Sequence, residues 1–217
     1  ILYARILHKI MAILKILGYG DPVLRQKSKE VSKISKKIRT LIENMLDTMY
    51  AANGVGLAAP QVGENLRIFV IDVSAENEPY NPLVFVNPKI IKKEGAICVK
   101  EGCLSFPEAY VNVRRYSDVM VKALDMNGRP FVMEAKGGEL LAYAIQHEND
   151  HLDGILFIDH SRNIFEATEA LNKNNLPQLE EDRLINEPEL EEKILAKEAE
   201  LKAQGAPDSV QKPEGEQ

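Results

Sequence analysis

The stretch Gln146-His147-Glu148-Asn149-Asp150-His151 constrains this chain more than any other. On a helix, His147 and His151 stand one turn apart on the same face, with Cβ atoms about 5–6 Å apart. Two imidazoles at that spacing can grip one metal ion, with Glu148 beside them to take a proton from metal-bound water. The run from Gly138 to Gln146 has no proline and many good helix formers, so a helix is predicted, burying Leu140, Leu141, Ala144 and Ile145. Two histidines do not complete a site, and the third ligand decides the chemistry. One protease family continues as His-Glu-x-x-His-x-x-Gly-x-x-His. Here Gly154 is in register, but the last position is Phe157 and His160 comes three residues too late. The third ligand must come from elsewhere.

The chain has two cysteines, Cys98 and Cys103. No disulfide framework follows from that, and reduced thiols are the simpler reading. Cys103 sits in Glu101-Gly102-Cys103-Leu104-Ser105-Phe106-Pro107, where Gly102 and Pro107 predict an irregular strand end that can aim a side chain at a site. A cysteine alone is more often a small buried hydrophobe. Beside an incomplete histidine pair, Cys103 becomes the best candidate for the missing ligand. A Cys–His–His set plus one water is an open, catalytic kind of site. Cys98 is expected to be a small core residue.

Upstream lies Gly54-Val55-Gly56-Leu57-Ala58-Ala59-Pro60-Gln61-Val62-Gly63. Its small residues let the backbone pass close to something else. Neither the phosphate-loop nor the dinucleotide fingerprint is present. Gln61 is either a turn amide or an amide donor facing a substrate. The Met and Leu stripe over residues 35–52 predicts a core helix. Residues 66–73, 83–86, 89–99 and 109–113 read as strands. Residues 119–124 and 130–135 form a hairpin about the turn Asp125-Met126-Asn127-Gly128, and 164–171 a last short helix.

Of the 217 residues 45% are hydrophobic and 28% charged, which fits one domain with something left over. The net charge is −6, but residues 180–217 carry twelve acids against five bases, leaving the rest near neutral at +1. The acidity therefore belongs to a tail and identifies no substrate. No run approaches the roughly 20 apolar residues of a membrane span. Residues 1–10, basic and preceding Met11, read as an upstream extension or, alternatively, a transit peptide. The catalytic domain is expected over 11–175. The charged tail, 176–217, is expected to be a solvated helix near 189–201 and disordered from 205, with residues 1–10 and 180–217 dispensable for catalysis.

Three stretches taken in order, residues 54–61, 101–105 and 146–151, resemble peptide deformylase, and the resemblance runs from about Met11 to about Ile164. It implies an α+β fold with antiparallel sheets wrapped around the helix of the metal motif. It also implies a hydrolase that removes the formyl group from the N-terminal methionine of new proteins and releases formate. The resemblance implies Cys103, His147 and His151 as metal ligands, Glu148 as base, and Gln61 with the Leu104 N–H as oxyanion donors. Gly56, Glu101 and Gly102 match its other motif positions on the substrate-binding side. Val55, Val99, Leu140 and Ala144 fall where it builds a methionine pocket. Tyr110 stands where some members have arginine. The resemblance implies Fe(II), although Zn(II), Ni(II) or Co(II) suit the same ligand types. Formyl-methionyl nascent peptides are the expected partners, with transient ribosome association, no direct nucleic-acid reading and no membrane. A bacterial cytoplasmic setting is expected, an organellar one being the alternative. Two rivals stand beside this reading: an ordinary zinc endopeptidase, and a ribosome-binding module with a structural metal.

Overall fold

The structure, a computed structural model, describes residues 12–74, 78–179 and 181–204. The expectations for residues 1–11 and 205–217 lie outside the described residues, as does the 75–77 part of the connection after residue 73. The described elements run α1 (Lys36–Ala51), β1 (Gly56–Ala58), β2 (Ile68–Ile71), β3 (Leu83–Glu94), β4 (Ile97–Cys103), β5 (Phe106–Arg115), β6 (Asp118–Leu124), β7 (Pro130–Ala135), α2 (Leu140–Leu152), α3 (Ile164–Lys173) and α4 (Pro188–Ala203). One sheet has the order β1-β2-β3-β6-β7 and a second is the hairpin β4-β5. Every strand pair is antiparallel.

Local chemistry sets most of these elements. Ser35 caps α1 by accepting the Ile38 N–H at 3.4 Å, and Ile42, Met45 and Met49 bury the helix against the sheet. The strand expected over 89–99 divides differently. β3 runs on through Asn87, which takes a positive φ of 51° and bonds both the N–H and the C=O of Val31. That anchors the kink as a bulge within one strand rather than a break between two. The chain turns instead at Gly95, φ 64°, where an added Cβ would lie 2.0 Å from Ser117 Oγ. The expected turn after β6 closes on Asp125, whose carboxylate accepts the N–H groups of Asn127 and Arg129.

Helix α2 lies between the two sheets. Ala142, Ala144, Ile145 and Leu152 join Phe69, Ile71, Phe85 and Val121 of the larger sheet in one core cluster. On its other side Phe106, Val111 and Val113 of β5 form a second cluster with Leu156 and Phe157, and the Phe157 ring stacks 5.7 Å from that of His147. The fold is therefore α+β, antiparallel sheets around the motif helix.

The tail differs from a solvated helix. Leu190 and Ile194 of α4 are 3% and 2% exposed and pack on Ala96, Cys98 and Tyr116. Glu191 pairs with Arg114 and Arg162, and Glu198 with Arg162. Two apolar residues one turn apart make a stripe too narrow to stand out in so charged a segment. The outer face does remain in solvent, with Leu195 half exposed. Among the described residues no helix is long and apolar enough to cross a membrane.

Candidate metal centre

Strand β4 ends on Cys103, and α2 presents His147 and His151 to it. Cys103 Sγ lies 3.3 Å from His151 Nε2, and one donor atom from each of the three residues lies within 4.8 Å of the others. Donors gathered this closely form a set that one ion could hold once the thiol and rings draw in around it. Glu101 Oε2 holds His147 Nδ1 at 2.8 Å, which turns the other ring nitrogen toward Cys103. A carboxylate behind a ligating histidine fixes its tautomer and orientation.

That carboxylate is itself gripped. Arg115 reaches Glu101 through Nε and Nη2 at 2.7 and 2.9 Å, and Asp150 through Nη1 at 2.5 Å. Burial alone would raise the Glu101 carboxyl, but Arg115 and His147 outweigh it and hold it near 2. Burial likewise pulls both histidines down. For His147, Cys103 and Glu101 reverse the effect and raise it well above the usual value; for His151, burial and the neighbouring His147 leave it well below.

Glu148 stands beside the histidines, 5% exposed. Its Oε2 has no hydrogen-bond partner among the described residues, and burial pushes its carboxyl up to about 7. Against its other oxygen lies Gly56, where an added Cβ would come within 2.3 Å of Oε1. No larger residue fits there unless Glu148 moves. This is the close backbone approach that the small residues of 54–63 predict. Gln61, on the 3₁₀ turn Ala59–Val62, divides its amide between the two readings. Oε1 accepts the Ala58 N–H at 2.8 Å, as a turn amide does, while Nε2 faces Ser105 Oγ at 3.2 Å and Cys103 Sγ at 3.4 Å.

The structure distributes the other expected residues unevenly. Leu104 follows Cys103 on the turn of the β4-β5 hairpin, and its side chain lies over Gly54. Val99 packs in the same cluster as Cys103. Leu140 and Ala144 sit one turn apart on α2, and Ala144 one turn before Glu148. Val55 and Leu140 stay open, 44% and 36% exposed. Tyr110 is exposed and lays its ring edge against Gly102. Glu101 is turned inward, 5% exposed, with its two oxygens bonded to Arg115 and His147. The extended zinc-protease pattern also fails in space, because Phe157 is buried in the apolar cluster. Sequence reasoning missed Arg115, Asp150 and Ser105. Asp150 lay within the quoted motif, but nothing in its spacing marked a buried partner.

Comparison with known proteins agrees with this geometry. The polypeptide deformylase family model matches residues 13–166. Peptide deformylase 2 of Gloeobacter violaceus is 51% identical over 151 residues, covering 69% of this chain and 80% of its own. The peptide deformylase of Thermodesulfovibrio yellowstonii is 50% identical over 149 residues, covering 69% of this chain and 89% of its own. Among solved structures, a peptide deformylase from Synechococcus elongatus in complex with actinonin superposes with a TM-score of 0.73 at 48% identity, covering 76% of this chain and 89% of that one. The match spans β1, the β4-β5 hairpin and α2, and with them every donor just described. The chain belongs to the polypeptide deformylase family, metal-dependent hydrolases that remove the N-formyl group from the N-terminal methionine of newly synthesised proteins.

Proposed function

We propose that Cys103, His147 and His151 hold the catalytic metal of this deformylase and that Glu148, Gln61 and Leu104 carry out the proton and charge work around it. One observation carries the reading: the thiol and both imidazoles converge within 4.8 Å, next in sequence to a carboxylate whose buried Oε2 has no hydrogen-bond partner among the described residues. The donor set fits a divalent ion, which when bound polarises the formyl carbonyl and brings a water's pKa toward about 7. A thiolate with two imidazoles suits Fe(II), the metal proposed here, as it also suits Zn(II), Ni(II) or Co(II).

Glu148 takes the proton of the attacking water and returns it to the leaving amine, a shuttle worth roughly 10²–10⁴-fold. The Gln61 Nε2–H and the Leu104 backbone N–H donate to the oxyanion that develops on the formyl oxygen, each worth about 2.7–4 kcal/mol in comparable sites. Ser105 Oγ and the Ala58 N–H hold the Gln61 amide in place, so it need not reorganise as charge appears. Val55, Val99, Leu140 and Ala144 would take the methionine side chain, and Gly56 and Gly102 would let the peptide backbone approach. Glu101 acts on His147 instead of on the substrate. The substrates are formyl-methionyl nascent peptides; transient association with ribosomes in a bacterial cytoplasm is proposed with them.

The test is formate release from formyl-Met peptides by anaerobically purified chain of known metal content, with unformylated peptides alongside. Formate from the first and no cleavage of the second is expected. Internal cleavage of unformylated peptides would favour the endopeptidase reading. Bound metal with neither activity would favour the structural one.

A further inference from the structure

His160 comes too late to extend the metal motif, yet it is 8% exposed and stands between two carboxylates. Asp150 Oδ2 lies 3.0 Å from its Nε2, and Glu187 Oε2 lies 3.5 Å from its Nδ1, close contacts in which neither ring nitrogen is aligned for a hydrogen bond. Glu187 is the residue just before α4, beyond residues 13–166 that match the family. From Asp150 the contacts continue inward to Arg115 at 2.5 Å, from Arg115 to Glu101 at 2.7 Å, and from Glu101 to His147 at 2.8 Å. Five contacts thus join a residue of the C-terminal extension to a metal ligand.

The extension is held against this chain of contacts independently of Glu187. Leu190 and Ile194 anchor α4 on the outer side of the hairpin, and Glu191 pins it to Arg114 and Arg162. Just before α4, the Ile185 N–H donates to Asp159 O at 2.8 Å, tying the segment to the 3₁₀ turn Phe157–His160. Glu187 and Leu190 also help line a hollow of about 10 Å³ whose other walls include Arg115, Asp150 and His160. So the extension forms one wall of the compartment in which the Arg115 guanidinium is buried.

We infer that the C-terminal extension is a working part of the metal centre, with Glu187 and His160 as positioning residues that act on His147 through Asp150, Arg115 and Glu101. The inference rests on the reading of His147 as a ligand. Asp150 faces Arg115 on one side and the His160 ring on the other, and a His160 packed between Asp150 and Glu187 keeps the Asp150 carboxylate turned toward Arg115. Release of that end lets Asp150 rotate and loosens the Arg115 hold on Glu101, and with it the orientation of the His147 ring. Direct partners of ligating histidines are worth about 10–100-fold in metal affinity or activity, so a residue at the outer end should be worth roughly three- to tenfold.

The full chain, Glu187→Gln, Ile194→Asp and Leu195→Ala would each be loaded with Co(II). The rate of metal loss to excess chelator, the visible Co(II) spectrum, and kcat and KM on a formyl-Met peptide would then be measured. Glu187→Gln should lose metal about three- to tenfold faster, with a shifted spectrum, a lower kcat and an unchanged KM. Ile194→Asp, which undocks α4 without touching the charged residues, should do the same, and Leu195→Ala on the exposed face should match the parent. If Ile194→Asp does not fold, Glu187→Gln alone decides. Parent-like metal retention and spectrum in Glu187→Gln, whatever happens to its melting temperature, would overturn the inference. A full-length chain that holds no Co(II) at all would instead sink the reading of the site, and this inference with it.

Discussion

The β4-β5 hairpin carries two cysteines and two adjacent arginines, and its two faces use them differently. On the inner face Cys103 meets His151, and Arg115, 2% exposed, bridges Glu101 and Asp150. On the outer face Cys98 packs under Leu190 and Ile194, and Arg114 reaches Glu191 and the carbonyl of Ser161. Arg114 and Arg115 are neighbours in sequence, so the strand alternation sends them to opposite sides, and Cys98 and Cys103, separated by an irregularity after Gly102, also meet partners on opposite faces. Identical side chains therefore hold a metal site on one face and dock a helix on the other. Position on the strand, and not residue type, decides the role.

The sharpest break of this comparison is Glu148→Ala. The inner face should then keep its metal, because no ligand is lost, while formate release falls about 10²–10⁴-fold. Metal content lost in step with the rate would make Glu148 a ligand and undo the assignment.

The arginines come next. Arg115→Ala strips a cation from buried Glu101 and Asp150 and should cost about 3–5 kcal/mol in urea unfolding. Arg114→Ala, at the rim, should cost about 1 kcal/mol or less. Equal costs would mean that the two faces are not energetically distinct.

The smallest effect is one of acidity. Burial pushes the Glu191 carboxyl up, but Arg114 and Arg162 outweigh it and leave it below the ordinary 4.5. A carboxyl depressed in the docked state stabilises docking above the ordinary value and loses that contribution as pH falls through the depressed one. Helix α4 should therefore loosen below about pH 4.5 while α2 stays protected, as backbone hydrogen exchange followed between pH 6 and pH 4 would show. Uniform exchange across both helices would contradict the separation of the faces.

Much of the inner face was legible in the sequence because its signals are short in range. The His147–His151 spacing needs only one helical turn, Gly56 announces a close approach, and Asp125 to Gly128 forms a turn whose chemistry is local. Cys103 was legible only because the histidine pair was incomplete without it. The parts that escaped depend on long-range pairing. Arg115 and Asp150 look like surface residues until β5 and α2 bring them together. Glu101 was placed on the substrate side only by the motif position it shares with the resembled family, whereas its partners come from distant segments. Leu190 and Ile194 hide in a charged run, and β1 is three residues long with every residue buried, so no alternation betrays it. The turn at Gly95 was masked by the lysine-rich run before it, which reads as one continuous strand.

The central claim is that the inner face of the hairpin supplies the third metal ligand. It is tested most directly by metal content and formate release on folded, anaerobically purified Cys103→Ser and Cys98→Ser. A thiolate binds a borderline metal far better than a hydroxyl does. The account predicts one tightly held ion per chain and near-parent activity in Cys98→Ser, with loss of both in Cys103→Ser. If Cys103→Ser keeps its metal and its rate, the third ligand lies elsewhere and the account of this site is wrong.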